Sequence, residues 1–209
     1  AVSNYIKMRD QMQEVSDNDQ KEIEGKYGFA FDDDYFYVPY LFEEWRVNRH
    51  TGVVEGSKDH FLHVHQGSFN ETLTIFDLLC CGKKEIVLAG TYARTNSLKG
   101  TIKGRTIASG VHDSRAARYD GHVEQLKKAC VSLSGKPYSP GDAAFVFHVF
   151  PFLPLVFQFW EVRSRNFRRC SSLCGMKTLD YLRFETLYYV MGDFLDALDQ
   201  AFDACKTEA

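Results

Sequence analysis

The chain has 209 residues, of which 44% are hydrophobic and 25% charged, the make-up of an ordinary globular protein with room for one sizeable domain. Its net charge of −3 provides no global basic field for nucleic acid or a membrane surface. No apolar run reaches the roughly 18 residues that span a bilayer, and the N-terminus AVSNYIKMRD lacks a signal-peptide core, so a cytoplasmic location is expected. Seventeen Phe and eleven Tyr favour β-structure around a large aromatic core. The six cysteines, Cys80, Cys81, Cys130, Cys170, Cys174 and Cys205, form no C-x-x-C pair and read as reduced, mostly buried thiols.

Residues 3 to 15 have helical spacing, with Tyr5, Met8, Met12 and Val15 on one face, and a second short helix is predicted from Asp17 to Gly28. The N-terminal segment of about 3 to 27 is therefore expected to be helical. Asp32 to Asp34 read as a polar turn, since later ligands at calcium-loop spacing are missing. Tyr35–Val38, Glu44–Val47 and Val53–Val54 then predict a small antiparallel meander, turned at Arg49-His50-Thr51-Gly52. His60, His63 and His65 follow. Placing His63 and His65 on one strand face makes a metal pair conceivable, but no third ligand is evident and no metal or cofactor is expected. Ser68 and Glu71 form an S-x-x-E capping box that opens a helix through Leu73, Phe76 and Leu79 to Gly82.

Lys83 to Arg118 is rich in Lys, Arg and Gly, a make-up that could cradle an anion on backbone N–H groups, but it carries no nucleotide-binding glycine pattern and reads rather as a solvated, mobile loop. A helix is predicted from about Asp113 to Ser132, with Tyr119, Val123, Leu126 and Cys130 inward, ended by Gly135, Pro137 and Pro140. The densest apolar stretch follows, GDAAFVFHVFPFLPLVFQFWEV from Gly141 to Val162. It reads as two strands joined by a Pro-Phe-Leu-Pro turn. Phe145, Phe147 and Val149 face one way, and both faces of each strand are apolar enough to be covered. The last element is a helix from about Arg183 to Cys205, with a buried stripe from Leu187 to Phe202 and a solvated acidic side of Asp193, Asp196, Asp199 and Asp203. The fold class expected is α+β, a single domain over residues 1–209 in which an antiparallel sheet holds the central 141–162 hairpin and helices pack against it.

No G-x-S-x-G elbow and no H-E-x-x-H is present, so the catalytic residues are unknown. A hairpin brings Asp142 and Trp160 to one end of the sheet, with Arg163 and Arg165 close by. An aromatic wall and two guanidinium groups suit a carboxylate or phosphate ligand. The ordinary alternative is that Asp142 caps a turn, Trp160 fills the core and the arginines are solvated.

The order of Gly141-Asp142, Pro151, Pro154, Trp160, Phe167 and then Leu179, Tyr181, Leu182 and Glu185 in L-D-Y-L-x-x-E resembles an uncharacterised bacterial family. That family is a domain of unknown function from anaerobes, some of whose members look fused to an iron–sulfur domain like that of corrinoid proteins. This chain lacks the four-cysteine pattern of such a domain, and it carries Arg163 and Arg165 where the family tends to be acidic. The resemblance implies membership without an activity. The function expected is a binding or accessory protein of anaerobic metabolism, taking an anionic small molecule or a partner protein. The alternatives are an enzyme, a hydrolase or transferase using Asp142 or a cysteine (Cys80 or Cys174), and a metal-handling protein using the three histidines.

Overall fold

The computed structural model describes residues 27–82, 90–94, 115–161 and 169–206, together with Ile6 and Leu98, and not the side chains of Cys81, Arg169 and Ser172. The helices expected before Tyr27, most of the basic 83–118 segment, and Arg163 and Arg165 lie outside these residues. The fold is α+β, with two antiparallel sheets and helices. The chain groups into two compact units, Ala1–Val87 with Asp180–Val190, and Leu88–Leu179 with Met191–Ala209.

In the first unit the expected meander forms. Strands β1 (Tyr35–Tyr40), β2 (Glu43–Asn48), β3 (Val54–Ser57) and β4 (His65–Gln66) pair in the order β1-β2-β3-β4. Alternation puts Phe36, Val38, Trp45, Val47 and Val54 on one buried face. The opposite face carries Arg46, paired with Glu55 at 2.8 Å and lying 4.2 Å over the Tyr35 ring. The Asp32 turn is a polar loop held by its own carboxylate. Oδ1 accepts the amides of Asp34 and Tyr35, Oδ2 accepts the Tyr37 hydroxyl, and these bonds, that of Tyr37 first, keep its pKa low.

Helix α1 (Phe69–Cys81) starts at the expected capping box, where Ser68 and Glu71 satisfy each other's backbone N–H groups, and stops at Gly82. Ile75, Phe76, Asp77 and Leu78 are consecutive and all fully buried, so the helix is covered on every side there and holds one charge, Asp77, inside. Asp77 Oδ2 accepts the backbone N–H of Arg183 and the hydroxyl of Thr186, both at 2.7 Å, and Arg183 Nε stands 3.2 Å from Oδ1. The carboxylate thus sits at the positive end of helix α3 (Thr186–Ala204), where a negative charge is stabilising.

The second unit is built on the 141–162 hairpin. Strands β5 (Tyr92–Arg94), β6 (Lys136–Pro137), β7 (Ala143–Phe150), β8 (Leu153–Trp160) and β9 (Arg169–Gly175) form a five-stranded sheet in the order β5-β9-β8-β7-β6. The tight turn is Pro151-Phe152 alone. Leu153 and Pro154 already belong to β8, opposite Phe150 and His148, and the register shifts there. Pro154 has no N–H to offer, and a local irregularity accommodates it inside the strand. The edge strand β6 contains Pro137, the position a sheet tolerates best.

Phe145, Phe147, Leu155, Phe157 and Phe159 share one face and are buried. Phe194 of α3 packs on Phe147 and Phe157, at 4.9 and 5.8 Å between ring centroids, and Tyr119 packs edge-on against Phe157 and Phe159. The expected cover on both faces holds for β8 but not for β7, where Val146 is half-buried and His148 exposed.

Three expectations are corrected here. The helix expected over 113–132 is broken. Helical residues 115–119 end in a turn at Gly121, whose φ of 78° favours glycine and whose N–H donates to Glu161, and α2 (Val123–Ser132) starts anew. The acidic side of α3 is only partly solvated: Arg115 pairs with Asp196 and Asp199, Arg118 pairs with Asp203, and the buried Tyr119 hydroxyl donates to Asp199 at 2.7 Å. Burial first, and Asp199 second, push the Tyr119 pKa up, so it stays a neutral donor. The basic segment is likewise not all loop, since Tyr92–Arg94 is a strand and Arg115 and Arg118 belong to this network.

Candidate functional site

A strand sends alternate side chains to opposite faces, so each residue between the buried phenylalanines of β7 and β8 belongs to a second face of the same sheet. On β8 that face carries Pro154, Val156, Gln158 and Trp160; on β7, Ala144, Val146 and His148; on β9, Ser171 and Leu173. Register with the neighbouring strands adds Lys136 from β6 and Tyr92 and Arg94 from β5. Tyr138 joins them, because its N–H donates to the Ala144 carbonyl one step past β6.

Tyr92 and Tyr138 stand on opposite edges of five strands, yet their rings meet edge to face at 5.8 Å. Five strands about 4.8 Å apart would hold flat edges far beyond such a contact. The sheet is therefore strongly coiled, with this face on its concave side. The small side chains of Ala144 and Ser171 and the bare Gly175 leave room for that curvature.

The concave face sets Gln158 and Ser171 among apolar neighbours such as Val156 and Leu173, with basic residues at its margins. Gln158 is 4% exposed, and its amide nitrogen donates to the Pro140 carbonyl at 2.8 Å. Opposite it, Ser171 has a buried hydroxyl without a hydrogen-bond partner, which costs free energy unless something supplies one. Lys136 and Arg94 are exposed on the two edge strands. His148 has its pKa pushed down, by partial desolvation first and by the Lys136 charge second, so it is neutral at pH 7.

Asp142 and Trp160 are brought together as expected. The Asp142 N–H donates to the Phe159 carbonyl, and its Oδ2 accepts the Glu161 N–H at 2.9 Å. Trp160 is half-buried at the end of β8 on the concave side. Asp142 thus fastens the strand end, and Trp160 is neither bare nor fully core. Arg163 and Arg165 fall outside the described residues, so their place beside this pair stays an expectation.

The other candidates separate. His63 lies in a turn rather than on a strand with His65. Each histidine meets its own carboxylate: His60 with Glu44 at 2.9 Å, His63 with Asp59 at 2.6 Å, His65 with Glu43 at 2.7 Å. Among the described residues no three His, Cys, Asp or Glu side chains converge as a metal site. Cys174 is buried, and that burial pushes its pKa up to about 12, so it is a protonated thiol and a poor nucleophile at neutral pH. Cys130 is raised by the same cause, whereas Cys80 is exposed.

Sequence reading missed Gln158, Ser171, Tyr92 and Tyr138. Gln158 and His148 had a signal, as polar residues inside the most apolar run of the chain. Tyr92 and Tyr138 had none, because their meeting depends on the coil of the whole sheet.

Together these features define an α+β protein in which one coiled sheet has an aromatic core face and a basic-rimmed concave face. The chain belongs to the family described as a domain of unknown function (DUF3786), whose model matches residues 19–192. No curated protein and no solved structure matches it. Among the described residues, no helix is long and apolar enough to cross a membrane.

Proposed function

We propose that this chain is a binding protein of anaerobic metabolism that holds a small anion, a carboxylate or a phosphate, on the concave face of the five-stranded sheet. Arg94 and Lys136 attract the ligand and Trp160 walls the end of the face, with Arg163 and Arg165, three and five residues further along the sequence, proposed as further cations for it. The observation that carries this reading is the unlike chemistry of the two faces. On β7 and β8 one face is all aromatic and aliphatic apart from the small Ala143; the other places Gln158, Ser171 and His148 between the cations of the two edge strands. An enzymatic role for Asp142 or Cys174 is less well supported, because the first accepts a backbone N–H and the second is held protonated. The anaerobic setting rests on the family resemblance.

The sign of the pH dependence follows from His148. Its depressed pKa means that a bound anion, by favouring the imidazolium, takes up a proton. Affinity should therefore rise as pH falls below neutrality and go on rising below about 6.5, because the free-state His148 value lies under that of an ordinary histidine. Calorimetric titration with inorganic phosphate and with succinate checks this. At least one should bind, more tightly at pH 6, and about tenfold more weakly in Lys136→Ala and in Arg94→Ala. Binding of neither anion, or binding untouched by both substitutions, contradicts the reading.

A further inference from the structure

Gly56 stands between Trp45 and His65 in one row across β2, β3 and β4. A Cβ at Gly56 would lie 2.8 Å from the His65 ring and 2.9 Å from the Trp45 ring. The missing side chain therefore leaves a channel over β3, and the imidazole fills it. Its Nε2 meets Glu43 of β2 at 2.7 Å, and its edge packs on Trp45 at 5.3 Å between centroids. The edge strand β4 has only two residues in the ladder, so this reach across β3 is a large part of what fastens it.

We propose that His65 is a pH-sensitive latch on the edge strand β4, closed while the imidazole is protonated and released as it loses its proton. The charged and polar groups facing it come from three sides. Glu43 of β2 accepts its hydrogen bond and also meets Lys58 at 3.2 Å; Glu71 in the first turn of α1 adds negative charge; the Gln66 carbonyl lies 3.4 Å from Nδ1. Glu43 first, with Gln66 and Glu71 helping against partial desolvation, holds the His65 pKa above its ordinary value. His60 and His63 make similar pairs, but their side chains are 89% and 91% exposed, against 51% for His65 and 20% for Glu43. Water and salt screen the first two far more, so His65 is the pair that couples to structure.

A histidine whose pKa is higher in the closed state stabilises that state fully below the open-state value, near 6.5, and loses the contribution as pH rises through the closed-state value. What opens is defined by the chain. β4 leads through Gly67, whose N–H donates to the Val54 carbonyl, into the Ser68 cap of α1. Trp45, whose buried indole N–H has no hydrogen-bond partner, gains access to water when the ring leaves.

Amide hydrogen exchange of Gly67, corrected for intrinsic rate, together with the Trp45 indole resonance, tests this on the full chain between pH 6 and 9. The Gly67 protection factor should fall about tenfold for each unit by which closure raises the His65 pKa, with its midpoint on the His65 titration measured in the same sample. His65→Gln should abolish the step, and Glu43→Gln should move it to lower pH. A flat protection factor in the unsubstituted protein, or an unchanged step in His65→Gln, overturns the proposal. Neither readout involves the anion face.

Discussion

Asp77→Ala is expected to lower stability by about 2 kcal/mol in a urea titration, because it removes the one fully buried carboxylate of α1 from its partners. The Arg183 N–H and the Thr186 hydroxyl would both be left without an acceptor beside the start of α3. Loss of an acceptor at a helix N-terminus alone costs about 1 kcal/mol, and the unpaired hydroxyl adds about as much again. The Arg183 side chain is half-exposed and can return to water, which keeps the total below the upper range for broken buried pairs. Asp77→Asn retains one acceptor oxygen and should cost about half as much. Equal stability of Asp77→Ala and the unsubstituted protein would mean that the carboxylate does not organise this junction.

Phe157→Ala should cost about 3–5 kcal/mol, and Trp160→Ala no more than about 2 kcal/mol, although the two residues lie three apart on one strand. Phe157 is fully buried and touches both Tyr119 and Phe194, so truncation leaves a cavity between sheet and helices. Trp160 is on the other face and half-buried, so less of its area leaves water on folding. The comparison separates the two faces directly in a denaturant titration. Similar losses at both positions would make Trp160 a core residue and remove the aromatic wall from the proposed site.

The hairpin was legible because its signals were local and agreed. Alternation in 143–160, Pro151 at the turn and Gly141 at the start placed the strands, whereas Pro154, read as part of the turn, lies inside β8. The capping box at Ser68 and Glu71 was legible for the same reason. The helix break at Gly121 was less so, since an isolated glycine also occurs inside helices, and only the Glu161 acceptor from another element fixes its role. The acidic residues of α3 were read as solvated because their partners, Arg115 and Arg118, stand about 80 residues earlier in sequence. The concave face shows the same limit. Asp142 and Trp160 were found by hairpin logic, but a Tyr92–Tyr138 contact across five strands is a property of sheet coiling that no single strand encodes.

The measurement that bears most directly on the two-faced sheet is backbone amide mapping during titration with inorganic phosphate at pH 6. Shifts that grow together and concentrate at Lys136, His148, Gln158, Trp160 and Ser171 are expected, with Phe145, Phe147 and Phe157 following weakly through the same strands. Saturable shifts confined to the first unit, or to the helix α3 face of the second, would place the anion elsewhere and contradict the account.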